Sequence, residues 1–338
     1  MARSLDDDRL LGEVLTMTGY ASISGPRSVQ LVERNVEACR LADASGDPTQ
    51  RVLSRVFLGA ARMTVGDFEK CAQITRDMVA IADADASPFI RWVARANSIR
   101  VPCLAGCLDE AHAINDQALA LSVELGQGDG EQWWAATSVG LMWLRGEVSS
   151  LADAVGDFAD QYPLAPVWRC AHAWVLSEAG RYDEARAVIR DHGLDPAHLI
   201  MEPMPFVATY QLAQAAYRLD DADLGARVVN ALSPHRGLWS HYFMFVMGPI
   251  SWALGLARAA ARDLDGAVAD LEEGLAEFAE HDLRGHVPTA RLHLARVLRR
   301  RDGPGDAARA TELLALARDE ATALQADSLT ASVDALGD

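Results

Sequence analysis

The sequence of 338 residues has no uninterrupted apolar run of the roughly 18 to 20 residues that a bilayer-spanning helix needs. Its most hydrophobic stretch, residues 243–261, is broken by Pro249, Ser251 and Arg258, so no membrane span is expected. Basic charge is scarce: one lysine, Lys70, and 31 Lys and Arg in all stand against 48 Asp and Glu, a net charge of −17. Such a chain lacks the clustered cations that displace counterions from phosphates, which argues against direct nucleic-acid binding. The amino-terminal MARSLDDDRLLGE carries no apolar segment with a small-residue cleavage site, so no signal peptide and a cytoplasmic location are expected. The five cysteines, Cys39, Cys71, Cys103, Cys107 and Cys170, are odd in number and lie in apolar helical patterns; buried, reduced thiols are expected. Lys70 in GDFEKC lacks the glycines of a phosphate loop, which excludes ATP hydrolysis, and no G-x-S-x-G signature is present.

Half of the residues are apolar, enough for a large core, and they are organised in a repeat. A helical run, a short polar turn and an aromatic or aliphatic residue three positions before a small one recur along the chain. AGRYDEARAVI places Gly180, Tyr182, Ala185 and Ile189; VGDFEKCAQIT places Gly66, Phe68 and Cys71; AGCLDEAHAIN places Gly106, Leu108 and Ala111. Further copies place Leu264, Ala267 and Leu271, and then Ala310 and Leu314, with weaker ones centred on Leu151 and Ala226. The spacing is near forty residues throughout. Twelve residues upstream of the small position lie Gly59, Ala173 and Gly255, so small residues face each other across each helix pair and allow close approach.

Apolar residues Leu264, Ala267, Val268, Leu271, Leu275 and Phe278 fall on one helical face. Ser87-Pro88 reads as an N-cap with a first-turn proline, Gly126 as a helix C-terminus, and Pro102 as a break or kink. No stretch alternates with period two, so no sheet is expected. These features predict an all-α fold, an α-solenoid of about eight helix hairpins over residues 1–338, with residues 191–204 as the place for a break into two sub-arrays.

The stretches PVWRCAHAWVLSEAGRYDEARAVI, from Pro166, and MGPISWALGLARAAARDLDGAVADLEEGLAEFAEHDLRGHVPTARLHLARVLRRR, from Met247, resemble tetratricopeptide-type repeats. They are similar to those in the carboxy-terminal helical region of bacterial LuxR-family regulators with an ATPase core and of AAA-ATPase adenylate-cyclase-type proteins. The resemblance implies a tetratricopeptide-like superhelix with a signalling or transcription-regulatory role. The sequence stops about where the regulators' helix-turn-helix begins, so the chain is expected to be the sensor part standing alone or a piece of a larger regulator.

Chemical motifs are few. His281 and His286 are five apart and read as solvated turn histidines; Cys103 and Cys107 are four apart beside Pro102 and Gly106, a poor metal pair. Arg296, Arg299, Arg300 and Arg301 crowd a helix C-terminus, where cations complement the dipole, and could also dock an acidic partner. The aromatic concentration GLWSHYFMFVMGPISW carries Trp239, His241, Tyr242, Phe245 and Trp252. With Trp133, Trp134, Trp143, Trp168 and Trp174 it reads either as inter-repeat core or as the lining of a concave pocket. The candidate ligand or partner site is therefore Trp134, Trp168, Arg169, Trp239, His241, Tyr242 and Phe245, with no catalytic residue, metal or cofactor. A non-catalytic binding module for a protein, a peptide or a small hydrophobic effector is the expectation. The alternative is a specialised-metabolism enzyme in which His241, Tyr242, Arg169 and Glu202 converge in an aromatic cavity.

Overall fold

A computed structural model describes residues 7–20, 28–85, 87–201, 204–242 and 244–337. The fold is all-α. The helices are α1 (Asp8–Tyr20), α2 (Ser28–Ser45), α3 (Pro48–Thr64), α4 (Phe68–Asp85), α5 (Pro88–Ser98), α6 (Arg100–Ala105), α7 (Leu108–Glu124), α8 (Gly130–Leu144), α9 (Ala152–Gln161) and α10 (Pro166–Glu178). They continue as α11 (Tyr182–Asp191), α12 (Pro196–Leu199), α13 (Pro205–Leu219), α14 (Ala222–Leu232), α15 (Ile250–Ala260), α16 (Leu264–Glu280), α17 (Val287–Arg301), α18 (Asp306–Ala323) and α19 (Asp327–Gly337). Most helices pack on their neighbours in sequence, α15 on α16 and α17 on α18 most extensively.

The recurring turn has a single physical form. At Gly66 the backbone turns left-handed (φ 75°), Gly66 N donates to Met63 O and Asp67 N reaches back to Arg62 O, which satisfies the last carbonyls of α3. The same pair of bonds closes the helices ending before Gly106, Gly146, Gly180, Asp220 and Arg262. Five residues after the left-handed position comes the small residue: Cys71, Ala111, Ala185 and Ala267 are fully buried. Two assignments shift by one. A 3₁₀ turn over Val148–Leu151 puts the buried Ala152 where Leu151 was expected. Gly225, not the exposed Ala226, is the small residue of its unit; a Cβ there would lie 2.5 Å from Ala257 O on α15.

Other local expectations hold with refinements. Ser87 caps α5 by accepting from Ile90 N, with Pro88 at the first turn. The break before Pro102 comes at Ile99, because a proline ring clashes with the carbonyl four residues back, here that of Ser98. Cys107 is exposed, against the expected burial of all five thiols, because it precedes α7 outside the apolar face.

Two strands correct the expectation of no sheet: β1 (Trp239–Tyr242) and β2 (Phe245–Pro249) pair antiparallel, with a bulge between Ser240 and His241. Both faces are covered, β1 by α3 and α13 and β2 by α6, α8, α15 and α16, so nearly every strand residue is buried and no alternation shows in the sequence.

This hairpin joins early helices to late ones. The Gly66 turn lies on Trp239 and His281, the Gly106 turn on Arg284, Gly285 and Leu324, and the Gly146 turn on Leu329. One continuous core runs from Val52 to Val333, and Leu194 and Leu199 of the connection over residues 191–204 belong to it. A small separate cluster, Leu15, Ala38 and Leu41, holds α1 to α2.

Candidate functional site

The aromatic residues fill the space enclosed by the later helices. Trp143 of α8 sits 5.9 Å from Trp174 of α10, 6.0 Å from Trp252 of α15 and 5.9 Å from His286, ring centre to ring centre. Tyr210 of α13 stacks on Trp252 and donates to Met247 O at 3.0 Å. Edge-to-face and offset contacts of this kind add to the stability that area burial already confers.

Against the edge of this plug opens a narrow slot with about 30 Å3 of accessible space. Its walls are Ala136, Val139 and Gly140 of α8, Val167, Trp168, Ala171 and Trp174 of α10, Val207 and Gln211 of α13, and Tyr242, Phe245 and Met247 of the hairpin. Gly140 is what lets the hairpin come so close: a Cβ there would stand 2.6 Å from the Phe245 ring. The lining is mostly apolar, its polar groups being the Gln211 amide, the Trp174 indole N–H and the Tyr242 hydroxyl. Among the described residues the Gln211 Oε1 acceptor and the Trp174 Nε1 donor have no hydrogen-bond partner, though Gln211 is only 6% exposed and Trp174 fully buried. Buried polar atoms in folded proteins are nearly always paired, and both of these belong to residues that line the slot.

Of the residues expected from the sequence, the structure brings Trp168, Tyr242 and Phe245 together on this slot and places the others elsewhere. Trp134 donates its indole N–H to Asp116 at 2.9 Å on the surface, while its neighbour Trp133 stacks on Trp92. Arg169 pairs with Asp160 at 2.8 Å. Trp239 is 2% exposed and packs its ring against Phe68, Phe278 and His281.

His241 is fully buried 2.7 Å from Thr64 Oγ1. Because that hydroxyl is committed to Ala60 O, the ring donates from Nε2 and leaves Nδ1 bare. Burial, helped by the Arg100 charge, pushes the His241 pKa down to about 3. Glu202 lies outside the described residues.

His286 is not solvated, and His281, in the turn after α16, is half-buried. His281 packs against Phe68 and Trp239, and His286, 2% exposed, donates from Nε2 to Val246 O at 2.7 Å, with burial pushing its pKa down to about 4. Among the described residues no group of three or more His, Cys, Asp or Glu is placed to hold a metal ion, and no helix is long and apolar enough to cross a membrane.

Sequence reasoning missed Val139, Gly140, Val207 and Gln211. The one available signal was the pair Gln211 and Gln214, polar residues within the apolar helix PFVATYQLAQAAYRL. Neither the protein-family models nor the curated proteins contain a match to this chain.

Proposed function

We propose that this protein is a non-catalytic binding module, a tetratricopeptide-like array that holds a small apolar molecule in the slot between α8, α10, α13 and the hairpin. The observation that carries this reading is the pair of polar atoms without a partner among the described residues, Gln211 Oε1 and Trp174 Nε1, on a mostly apolar lining. They ask for a ligand with one donor and one acceptor on a slender apolar body, such as an alkyl or aryl alcohol. The resemblance of the repeats to those of bacterial signalling regulators makes effector sensing in transcriptional control the fitting context. The separate environments of His241, Tyr242 and Arg169 favour this reading over the enzyme one.

Native mass spectrometry of the purified full chain, with and without added decan-1-ol, tests this. A retained apolar molecule or a one-to-one decanol adduct, reduced by Ala136→Leu at the slot wall, supports the reading. A chain that carries nothing and takes up no decanol contradicts it.

A further inference from the structure

The slot is built from the first helices of successive hairpins, α8, α10 and α13, together with the strand hairpin. The second helices of two of these units, α11 and α14, form a separate opening with α12, a cleft with about 560 Å3 of accessible space that shares no lining residue with the slot. Its apolar part is buried: Ile189 and Leu194 are 9% and 5% exposed. Its remaining lining is largely basic. Arg186 and Arg190 are four apart on one side of α11, Arg227 comes from α14 and His198 from α12.

Two features set these basic groups apart from the other arginines of the chain. Their carboxylates hold them loosely: Arg186–Asp183 at 3.6 Å, Arg227–Asp195 at 3.7 Å and His198–Asp195 at 4.0 Å are all beyond hydrogen-bond distance. Outside the cleft, arginine–carboxylate pairs among the described residues close to 3.3 Å or less. Arg190 does pair closely, but with its chain neighbour Asp191, both well exposed, a contact worth little in water. The two carboxylates that line the cleft are also engaged in capping. Asp195 Oδ1 accepts from Ala197 N at 3.2 Å and Asp221 Oδ1 from Leu224 N at 2.9 Å. Three guanidinium groups thus share the cleft with two capping carboxylates, in a chain of net charge −17. Arg186 is fixed in place by donating from Nη2 to Leu219 O at 3.0 Å.

Large apolar side chains border the same region. Tyr182, one turn before Arg186 on α11, is 41% exposed, and Met201, one turn after His198, is 84% exposed. An inorganic anion gains nothing from these side chains or from Ile189 and Leu194, whereas a peptide does.

We propose that the cleft between α11, α12 and α14 docks an acidic peptide segment of a partner protein, its carboxylates on Arg186, Arg190 and Arg227 and an apolar side chain on Ile189 and Leu194. The occupant follows from charge complementarity and from the mixed lining, and the proposal stands independently of the slot.

Fluorescence anisotropy of the full chain at pH 7.5 with the fluorescein-labelled peptide Glu-Leu-Glu-Glu-Leu-Glu tests this, beside its neutral counterpart Gln-Leu-Gln-Gln-Leu-Gln. The acidic peptide is expected to bind about tenfold or more tightly than the neutral one, and raising the salt about tenfold to remove most of that difference. The salt response is read on the unmodified protein, so it does not depend on how variants fold. Arg190→Glu and Arg227→Glu, at exposed positions, are each expected to weaken the acidic peptide about three- to tenfold, attraction being lost and repulsion gained. Arg76→Glu, on the exposed side of α4, changes the net charge equally and is expected to leave binding unchanged. Equal binding of the two peptides, binding of neither, or equal weakening by Arg76→Glu and the two cleft substitutions overturns the proposal. So does displacement of the acidic peptide by an equimolar amount of inorganic phosphate, which makes the cleft a simple anion site.

Discussion

Acidification from pH 7.5 to 5 is expected to destabilise this protein through histidines held neutral in its core. His241 and His286 are pushed by burial to about 3 and about 4, and His293 is driven well below its ordinary value by burial together with Arg296 and Arg218. In each case the folded pKa lies below the unfolded one of about 6.5. The unfolded chain therefore takes up protons that the folded chain refuses, and the stabilisation is complete above about pH 6.5 and lost as pH falls toward the folded pKa. At pH 5 the unfolded state has gained about 1.5 pH units of protonation free energy per histidine, about 2 kcal/mol each. For His241 and His286 together this is about 4 kcal/mol, a large part of the 5–15 kcal/mol that holds a typical domain. Protonation of carboxylates, which relieves the excess negative charge, falls mostly below this window. Urea unfolding followed by far-ultraviolet circular dichroism at pH 7.5, 6.5, 5.75 and 5 reads the effect. The midpoint should fall steadily below pH 6.5, and His286→Gln should flatten the slope by about 1.4 kcal/mol per pH unit. A midpoint that stays level or rises between pH 7.5 and 5 would refute the neutral, buried assignment.

Two further substitutions probe the packing. Gly225→Ala drives a Cβ to 2.5 Å from Ala257 O and 3.0 Å from Ala261 N, backbone atoms that cannot swing aside, so α14 must move off α15 at a cost of about 1–3 kcal/mol, seen as a lower Tm; an unchanged or raised Tm contradicts the close approach. Arg100 is fully buried and donates to Val56 O, and burial lowers its pKa while the nearby Cys71 thiol acts the other way. Arg100→Met, which keeps most of the volume and removes the charge, should unfold at a clearly higher urea concentration than Arg100→Ala, which adds a cavity costing about 2–5 kcal/mol. Equal losses in the two variants contradict a desolvated charge at this position.

The helix hairpins were legible because one turn geometry repeats: a left-handed residue, usually glycine, then a small residue five positions on. The reading slipped where another residue took the left-handed place, as Asp220 does before Gly225, or where a 3₁₀ turn inserted a position, as before Ala152. The hairpin of β1 and β2 was illegible because it is covered on both faces, so its residues read as a continuous apolar run. His286 was taken for a surface group since its partner, Val246 O, lies 40 residues away in sequence. Trp168, Tyr242 and Phe245 were found by aromatic character alone. Gln211 and Gly140 were not, because the slot is assembled from four elements across more than a hundred residues and no local spacing encodes it.

The indole N–H resonance of Trp174, assigned by its loss in Trp174→Phe, tests the central claim most directly. That N–H has no partner among the described residues, so decan-1-ol entering the slot should move its signal downfield while the indole signal of Trp134, already bonded to Asp116, stays in place. A Trp174 signal unmoved by saturating decanol, or a uniform drift of all indole signals, contradicts a ligand site at the slot.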